Sequence, residues 1–345
     1  MVSVPARFWR RRWWWFAAAA VCALVAALVW GRCPASRERF AAGNDHDTIF
    51  VSIASYRDAD CINTLHSLFS AAAQPARVFV GVCEQNSAAA AETCLPAEFK
   101  WHDQVRRVSV PSREAKGPTY ARYLCSTLHR GEKYFLQLDS HMRMVKGWDT
   151  ALLAMLRACP SPKPVLTHYP HDYQHEASAA TAGVPVLCKS KFDDRGLVTF
   201  EADTLPPPPA GSPPKPVPFT AGGFLFGPAT LLREVPYDPD LPQLFQGEEL
   251  LFSARLWTSG YDFFTPTANL CFHHYYRKDA PKFWDDVDYS ATQAATVAKV
   301  KKLLEGGLPG YSHGMGTARP LAEYWKFAGI DWAAKTTASA ATFCK

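Results

Sequence analysis

A chain of 345 residues with 48% apolar and 20% charged residues carries enough apolar material for a sizeable core, which excludes a disordered chain. The formal net charge of +5 is misleading, because residues 1–39 alone hold seven Arg against one Glu. The remainder is close to neutral and has no nucleic-acid footprint.

Residues 13–30, WWWFAAAAVCALVAALVW, form an uncharged apolar run of 18 residues. As a helix the run spans about 27 Å at ~1.5 Å per residue, enough to cross a thin bilayer. Arg7, Arg10, Arg11 and Arg12 precede it, and Arg32, Arg37 and Arg39 follow. The positive-inside rule then predicts a cytosolic tail over 1–12, a transmembrane signal anchor over 13–30, a stem over 31–46 and a luminal body over 47–345. A cleaved secretory signal is the alternative, but the run exceeds a typical h-region and no clean small-x-small cleavage site follows. A span this short favours ER or Golgi membranes over the thicker plasma membrane.

In the body, Thr48–Tyr56 (TIFVSIASY) is rich in β-formers and ends in SYRD, and Ile62–Ala73 then repeats apolar residues at helical spacing. Arg77–Val82 and Val105–Val110 read as further strands, and Thr119–Leu128 as a helix opened by Gly117-Pro118. Tyr134–Leu138 is almost wholly apolar, as a central strand covered on both faces would be. Trp148–Ala158 predicts a helix and Val165–His168 a strand. The proline-rich Leu205–Phe219 cannot be helix or central strand and predicts an extended surface connection. Phe219–Phe226 returns to strand character around a Gly pair, and Glu248–Ser259 predicts a helix ending at Gly260. Strands alternating with helices predict an open, mostly parallel α/β sheet in one body.

Of ten cysteines, Cys22 is inside the apolar run and Cys33 just beyond it, and no CxxC pair or zinc-like spacing occurs. In an oxidising lumen some of the other eight could form disulfides. Cys83 and Cys94 are the nearest pair, but spacing does not fix connectivity.

The chemistry concentrates where the Tyr134–Leu138 strand runs into Asp139, Ser140 and His141. Residues two apart on an extended backbone face the same way, so Asp139 and His141 can converge at the carboxyl end of a strand, where ligands bind in open α/β sheets. Alone, the pair would read as a turn cap beside a solvated histidine. A second histidine source, CFHHYYR over 271–277, turns it into a candidate divalent-metal site whose nitrogen ligands suit Mn²⁺ better than Mg²⁺. If that segment is extended, only one of His273 and His274 faces inward.

The ordered set SIASYRD, GPTYAR, LQLDSH, FTAGGFLFG, FQGEELLFSARLWTSGYDFFTP, HHYYR and YSHGMGTARPLAEYWKFAGID closely resembles glycosyltransferase family 60, polypeptide α-N-acetylglucosaminyltransferases of the GT-A fold, across nearly all of residues 46–333. AGGFLF and GEE also resemble stretches of the polypeptide N-acetylgalactosaminyltransferases. The resemblance implies a GT-A nucleotide-sugar transferase over 47–345 that moves N-acetylglucosamine from UDP-GlcNAc, with retention, to hydroxyproline or to Ser or Thr of a protein. It implies Asp139, His141 and one downstream histidine as ligands for Mn²⁺ or another divalent cation. The family register selects His273, four before Arg277, whereas the HxxR spacing of the galactosamine enzymes selects His274. It implies Ser55, Tyr56, Arg57, Arg122 and Asp139 at the donor, Gly222 and Gly223 beside the sugar or acceptor, and Glu248 or Glu249 near the transferred sugar. Expected partners are a UDP-sugar, a protein or peptide acceptor and the membrane, with no nucleic acid. Retention without a clear carboxylate nucleophile implies front-face attack by the acceptor hydroxyl, the leaving phosphate helping to take its proton. Three alternatives are compatible with the same fold: a retaining transferase using another UDP-sugar, a metal-dependent luminal hydrolase and an inactive luminal binding protein. Intact DSH, HH and GEE motifs speak against the last.

Overall fold

The computed structural model describes residues 47–88, 92–178, 183–288, 290–338 and 343–345. The predicted tail, anchor and stem lie outside them. Among the described residues no helix is long and apolar enough to cross a membrane.

The body is built on an eight-stranded sheet. Strands β1 (Ile49–Tyr56), β2 (Val78–Asn86), β3 (Val105–Pro111) and β4 (Tyr134–Asp139) run parallel in the order β3-β2-β1-β4. Two helices join them, α1 (Cys61–Ala71) and α2 (Pro118–Ser126), the latter entered through Gly117 at φ +83° with proline at its first position. Beyond β4, a short β5 (Met142–Met144) leads to α3 (Trp148–Ala158), β6 (Pro164–Thr167) and a two-residue β7 (His171–Asp172). A hairpin of β8 (Val184–Phe192) and β9 (Val198–Leu205) follows, then β10 (Lys215–Val217) and β11 (Phe224–Pro228). A single helical turn, α4 (Leu231–Glu234), precedes α5 (Glu248–Thr258), β12 (Asp262–Thr265) and β13 (Cys271–His273). The large sheet is completed as β4-β11-β6-β12-β10, with β11 and β10 antiparallel to their neighbours. The mostly parallel α/β sheet expected from the sequence is therefore present.

Both faces of the sheet centre are covered, which is why β1, β2 and β4 are apolar over most of their length, whereas the edge strand β3 alternates half-buried and exposed residues. On β1, Ile49, Val51 and Ile53 enter one apolar cluster with Leu65, Leu68 and Phe69 of α1 and Trp148 and Leu152 of α3. Phe50 enters the other, with Leu250, Ala254 and Trp257 of α5.

Three details depart from expectation. The proline-rich connection contains an edge strand, β10, where the missing proline N–H is tolerated. The strand expected over Phe219–Phe226 begins only at Phe224, because Thr220–Gly223 bend into the candidate site. The β8–β9 hairpin and the helices α6 (Phe283–Asp286), α7 (Ser290–Leu304) and α8 (Leu321–Ala328) had no counterpart in the sequence reading. On connectivity, which spacing left open, the described residues contain the disulfides Cys61–Cys94 and Cys188–Cys344, while Cys83 is a buried thiol against Cys125.

Candidate active site

Because β1, β2 and β4 are parallel and in register, with Ala54 opposite Asp139, their carboxyl ends finish at one edge. The chain leaves β1 through Arg57 in the left-handed region, φ +45°, an unusual conformation for a side chain of that size. The turn brings Asp58 under the β4 exit. His141 follows Asp139 just before β5, and β5 pairs with β13 so that His273 lies opposite Met142. That antiparallel register sets His273 beside His141, their rings 4.5 Å apart edge to face.

Asp139, His141 and His273 each offer a ligand atom within 4.8 Å of the other two. His273 Nε2 lies 3.2 Å from Asp139 Oδ2. Burial opposes ionisation of Asp139, but the His273 contact and the neighbouring His141 and Arg122 hold it well below the usual carboxylate range. Burial also lowers the His141 pKa, favouring the neutral imidazole a metal requires. One carboxylate and two imidazoles suit a divalent transition metal. The glycine at 223 fits the same arrangement, since a Cβ there would sit 2.9 Å from Asp139 Oδ2.

His274 is not part of this cluster. Alternation along the extended segment turns its ring away, to 3.7 Å from Asp60 and edge-on to Tyr173, while its backbone N–H donates to the His141 carbonyl. Of the two histidines left open by the sequence, the structure brings His273 to Asp139 and His141.

The opposite wall comes from α2 and α5. Arg122 is buried, pairs with Glu248, donates from Nη2 to the Gly222 carbonyl at 2.9 Å, and lies 3.5 Å from Asp139. Glu248 also accepts from Thr119 Oγ1 at 2.9 Å. Glu249 accepts from the Gly222 N–H and from Tyr169 OH, each at 2.6 Å. Burial, with the adjacent Glu248 charge, pushes the Glu249 carboxyl up to about 7. Gly222 is required by close approach, since a Cβ would meet Glu248 Oε1 at 2.9 Å.

Two cavities meet at the His141 edge. A cleft of about 450 Å³ is lined by Arg122, Asp139, His141, Gly222, Gly223, Glu248, Glu249 and His273, together with Tyr169, Tyr275 and Arg277. A pocket of about 220 Å³ is lined by Tyr56, Asp58, Gln85, Ser140, Lys282, Phe283 and Trp284. His141, Pro118, Phe245 and Arg277 line both. Tyr56 thus reaches the smaller pocket, its OH donating to Asp286. Ser55 and Arg57 reach neither wall. Ser55 is fully buried and gives its carbonyl to Gln85, and Arg57 pairs with Glu92 and Asp286.

Sequence reasoning missed Asp58, Tyr169 and the place of Arg277. Asp58 Oδ2 accepts from Ser140 Oγ at 2.6 Å and Arg277 Nη1 at 3.1 Å, and lies 2.7 Å from His141 Nδ1. Burial opposes its ionisation, but His141, Arg277 and Ser140 hold it at about 2. The acid two residues past a strand end, in SYRD, was the available signal for Asp58. Nothing local marked Tyr169.

Residues 48–100 and 95–334 match the family model described as Glycosyltransferase (GlcNAc). No curated protein matches the chain. Among solved structures, GalNAc-T7 with UDP, GalNAc and Mn²⁺ is similar at a TM-score of 0.53 and 15% identity over 84% of this chain. The match covers 55% of GalNAc-T7, so this chain spans about half that enzyme's length. Staphylococcus aureus TarS in complex with UDP-GlcNAc gives a TM-score of 0.48 and 12% identity, over 82% of this chain and 70% of TarS. Identities this low are a likeness of fold, and that fold is GT-A-like.

Proposed function

Because the chain belongs to the Glycosyltransferase (GlcNAc) family, we propose that it is a retaining, metal-dependent transferase that moves N-acetylglucosamine from UDP-GlcNAc to a protein hydroxyl. The observation that carries this reading is the position of Asp139, His141 and His273 at the edge where an aromatic-walled pocket opens into a larger polar cleft. A nucleotide-sugar needs such a division: a slot for base and ribose, a divalent cation and cationic side chains at the diphosphate, and room beyond for sugar and acceptor. GalNAc-T7, of similar fold, holds UDP, GalNAc and Mn²⁺.

In this reading Asp139, His141 and His273 hold Mn²⁺. When bound, the cation offsets the negative charge of the departing diphosphate. Tyr56, Gln85, Phe283 and Trp284 bind the uridine, and Arg277 serves the diphosphate from the shared wall. Arg122 fixes Glu248 and the Gly222 carbonyl, so that the cleft is shaped before substrate arrives. Neither glutamate is free to act as a nucleophile, since Glu248 is paired with Arg122 and Thr119 and Glu249 with Tyr169 and Gly222. That favours front-face attack: the acceptor oxygen bonds to C1 as the C1–phosphate bond breaks, and the acceptor proton passes to the leaving phosphate.

The family 60 motifs support a protein acceptor. Two disulfides favour an oxidising lumen, and hence Ser or Thr of a secretory protein over hydroxyproline of a cytoplasmic one. The proposed location is the Golgi or ER membrane, anchored by residues 13–30. Protease added to sealed microsomes should spare the body, and complete digestion would reverse the compartment.

Activity is tested by incubating the full chain with UDP-GlcNAc, UDP-GalNAc or UDP-glucose, Mn²⁺ and a Thr-rich peptide, followed by mass and anomeric analysis of the product. Peptide gaining one N-acetylhexosamine in α linkage, from UDP-GlcNAc before the others, is the expected result. UDP release without any modified acceptor would indicate a hydrolase, and no UDP release at all would indicate a binding protein.

A further inference from the structure

The two imidazoles of the cluster are held differently, and the difference resides in Asp58. His273 points Nε2 at Asp139, and its buried Nδ1 has no hydrogen-bond partner among the described residues. His141, by contrast, has its Nδ1 2.7 Å from Asp58 Oδ2, in a site where the acid is 5% exposed. Both Asp58 oxygens act as acceptors, Oδ1 from the Asp60 N–H and Oδ2 from Ser140 Oγ and Arg277 Nη1, so the hydrogen of the His141–Asp58 contact belongs to Nδ1. The lone pair is then on Nε2, the nitrogen left to face the cluster.

The same carboxylate is committed on every side. Oδ1 accepts from the Asp60 N–H at 3.0 Å, and Oδ2 also takes Ser140 Oγ at 2.6 Å and Arg277 Nη1 at 3.1 Å. These contacts leave Asp58 little freedom to rotate, and through it they fix the plane of the His141 ring. They also tie that ring to Arg277, the cation on the wall shared by both cavities.

We infer that Asp58 is a positioning residue which presets the His141 tautomer and ring orientation for a divalent cation and, through the same oxygen, stations Arg277 where the donor's diphosphate would lie. The inference rests on the metal reading of Asp139, His141 and His273. An acceptor behind a metal-ligating histidine raises its basicity, and removing such a partner commonly weakens metal binding about 10- to 100-fold.

The test uses full-length protein without donor. Bound and free Mn²⁺ are measured by electron paramagnetic resonance, and the His141 tautomer by the ring ¹⁵N shifts of the metal-free protein. Asp58→Ala should raise the Mn²⁺ Kd about 10- to 100-fold and abolish the preference for hydrogen on Nδ1. Asp58→Asn, which keeps an acceptor oxygen, should retain that preference and lose less affinity. Arg277→Ala should leave the tautomer unchanged while raising KM for the donor. Absence of Mn²⁺ binding by the unaltered protein would overturn both the metal reading and this inference. Wild-type binding with an unchanged Kd in folded Asp58→Ala would overturn this inference alone. Should the alanine variant fail to fold, an Asp58→Asn protein with wild-type Kd but a lost Nδ1–H preference would overturn it, and a weakened Kd with that preference retained would support it.

Discussion

Glu249 is half-buried beside Glu248 with its carboxyl raised to about 7, and replacing it by glutamine gives a quantitative check on the cleft. Glutamine is nearly isosteric. Its amide oxygen can keep the Gly222 N–H and its NH₂ can face the Tyr169 hydroxyl. A carboxyl that ionises at about 7 when folded and at 4.5 when unfolded binds more protons in the native state between those values. Its contribution to stability is therefore fully present below about pH 4.5, is lost as pH rises to about 7, and is level above that. At ~1.4 kcal/mol per pH unit the whole interval amounts to about 3 kcal/mol. The stability gained by Glu249→Gln over wild type should then be small at pH 5 and greater by about 2–3 kcal/mol at pH 8, because titrating groups remote from Glu249 cancel in the difference. Urea unfolding at the two pH values, without metal or donor, measures it. A mutant-minus-wild-type difference independent of pH would refute the reasoning and show that Glu249 is ionised without strain.

The paired histidines should separate cleanly. His273→Ala is expected to lower turnover by several powers of ten, each about 1.4 kcal/mol of transition-state stabilisation, and to raise the Mn²⁺ requirement. His274→Ala, whose ring faces Asp60, should change either quantity by less than about tenfold, and steady-state kinetics over a Mn²⁺ titration checks both. Gly223→Ala forces a methyl to within 2.9 Å of Asp139 Oδ2, so the carboxylate must shift by several tenths of an ångström. A weaker Mn²⁺ Kd, by roughly tenfold, with a melting temperature within a few degrees of wild type is expected from that displacement.

The alternation of strands and helices was legible in the sequence, because burying both faces of a parallel strand demands a nearly continuous apolar run such as Tyr134–Leu138. The sequence also determined that Asp139 and His141 share an exit, since backbone periodicity is local. Arg122, Gly222, Gly223, Glu248 and Glu249 were legible only as members of motifs, and the fold supplies their common reason: α2 and α5 meet across the Gly222 peptide. Which distant groups meet depends instead on how the elements pack. The choice of His273 follows from the β5–β13 register, a pairing between segments about 130 residues apart that no local pattern encodes. The Cys61–Cys94 link depends likewise on where the loop after β2 returns, and not on sequence proximity, which would have favoured Cys83. Asp58 gained its place from a turn at Arg57 and from Ser140, His141 and Arg277 arriving from elsewhere in the chain. Hydrogen bonds of that kind are satisfied between elements, so their partners become visible only once the elements are packed.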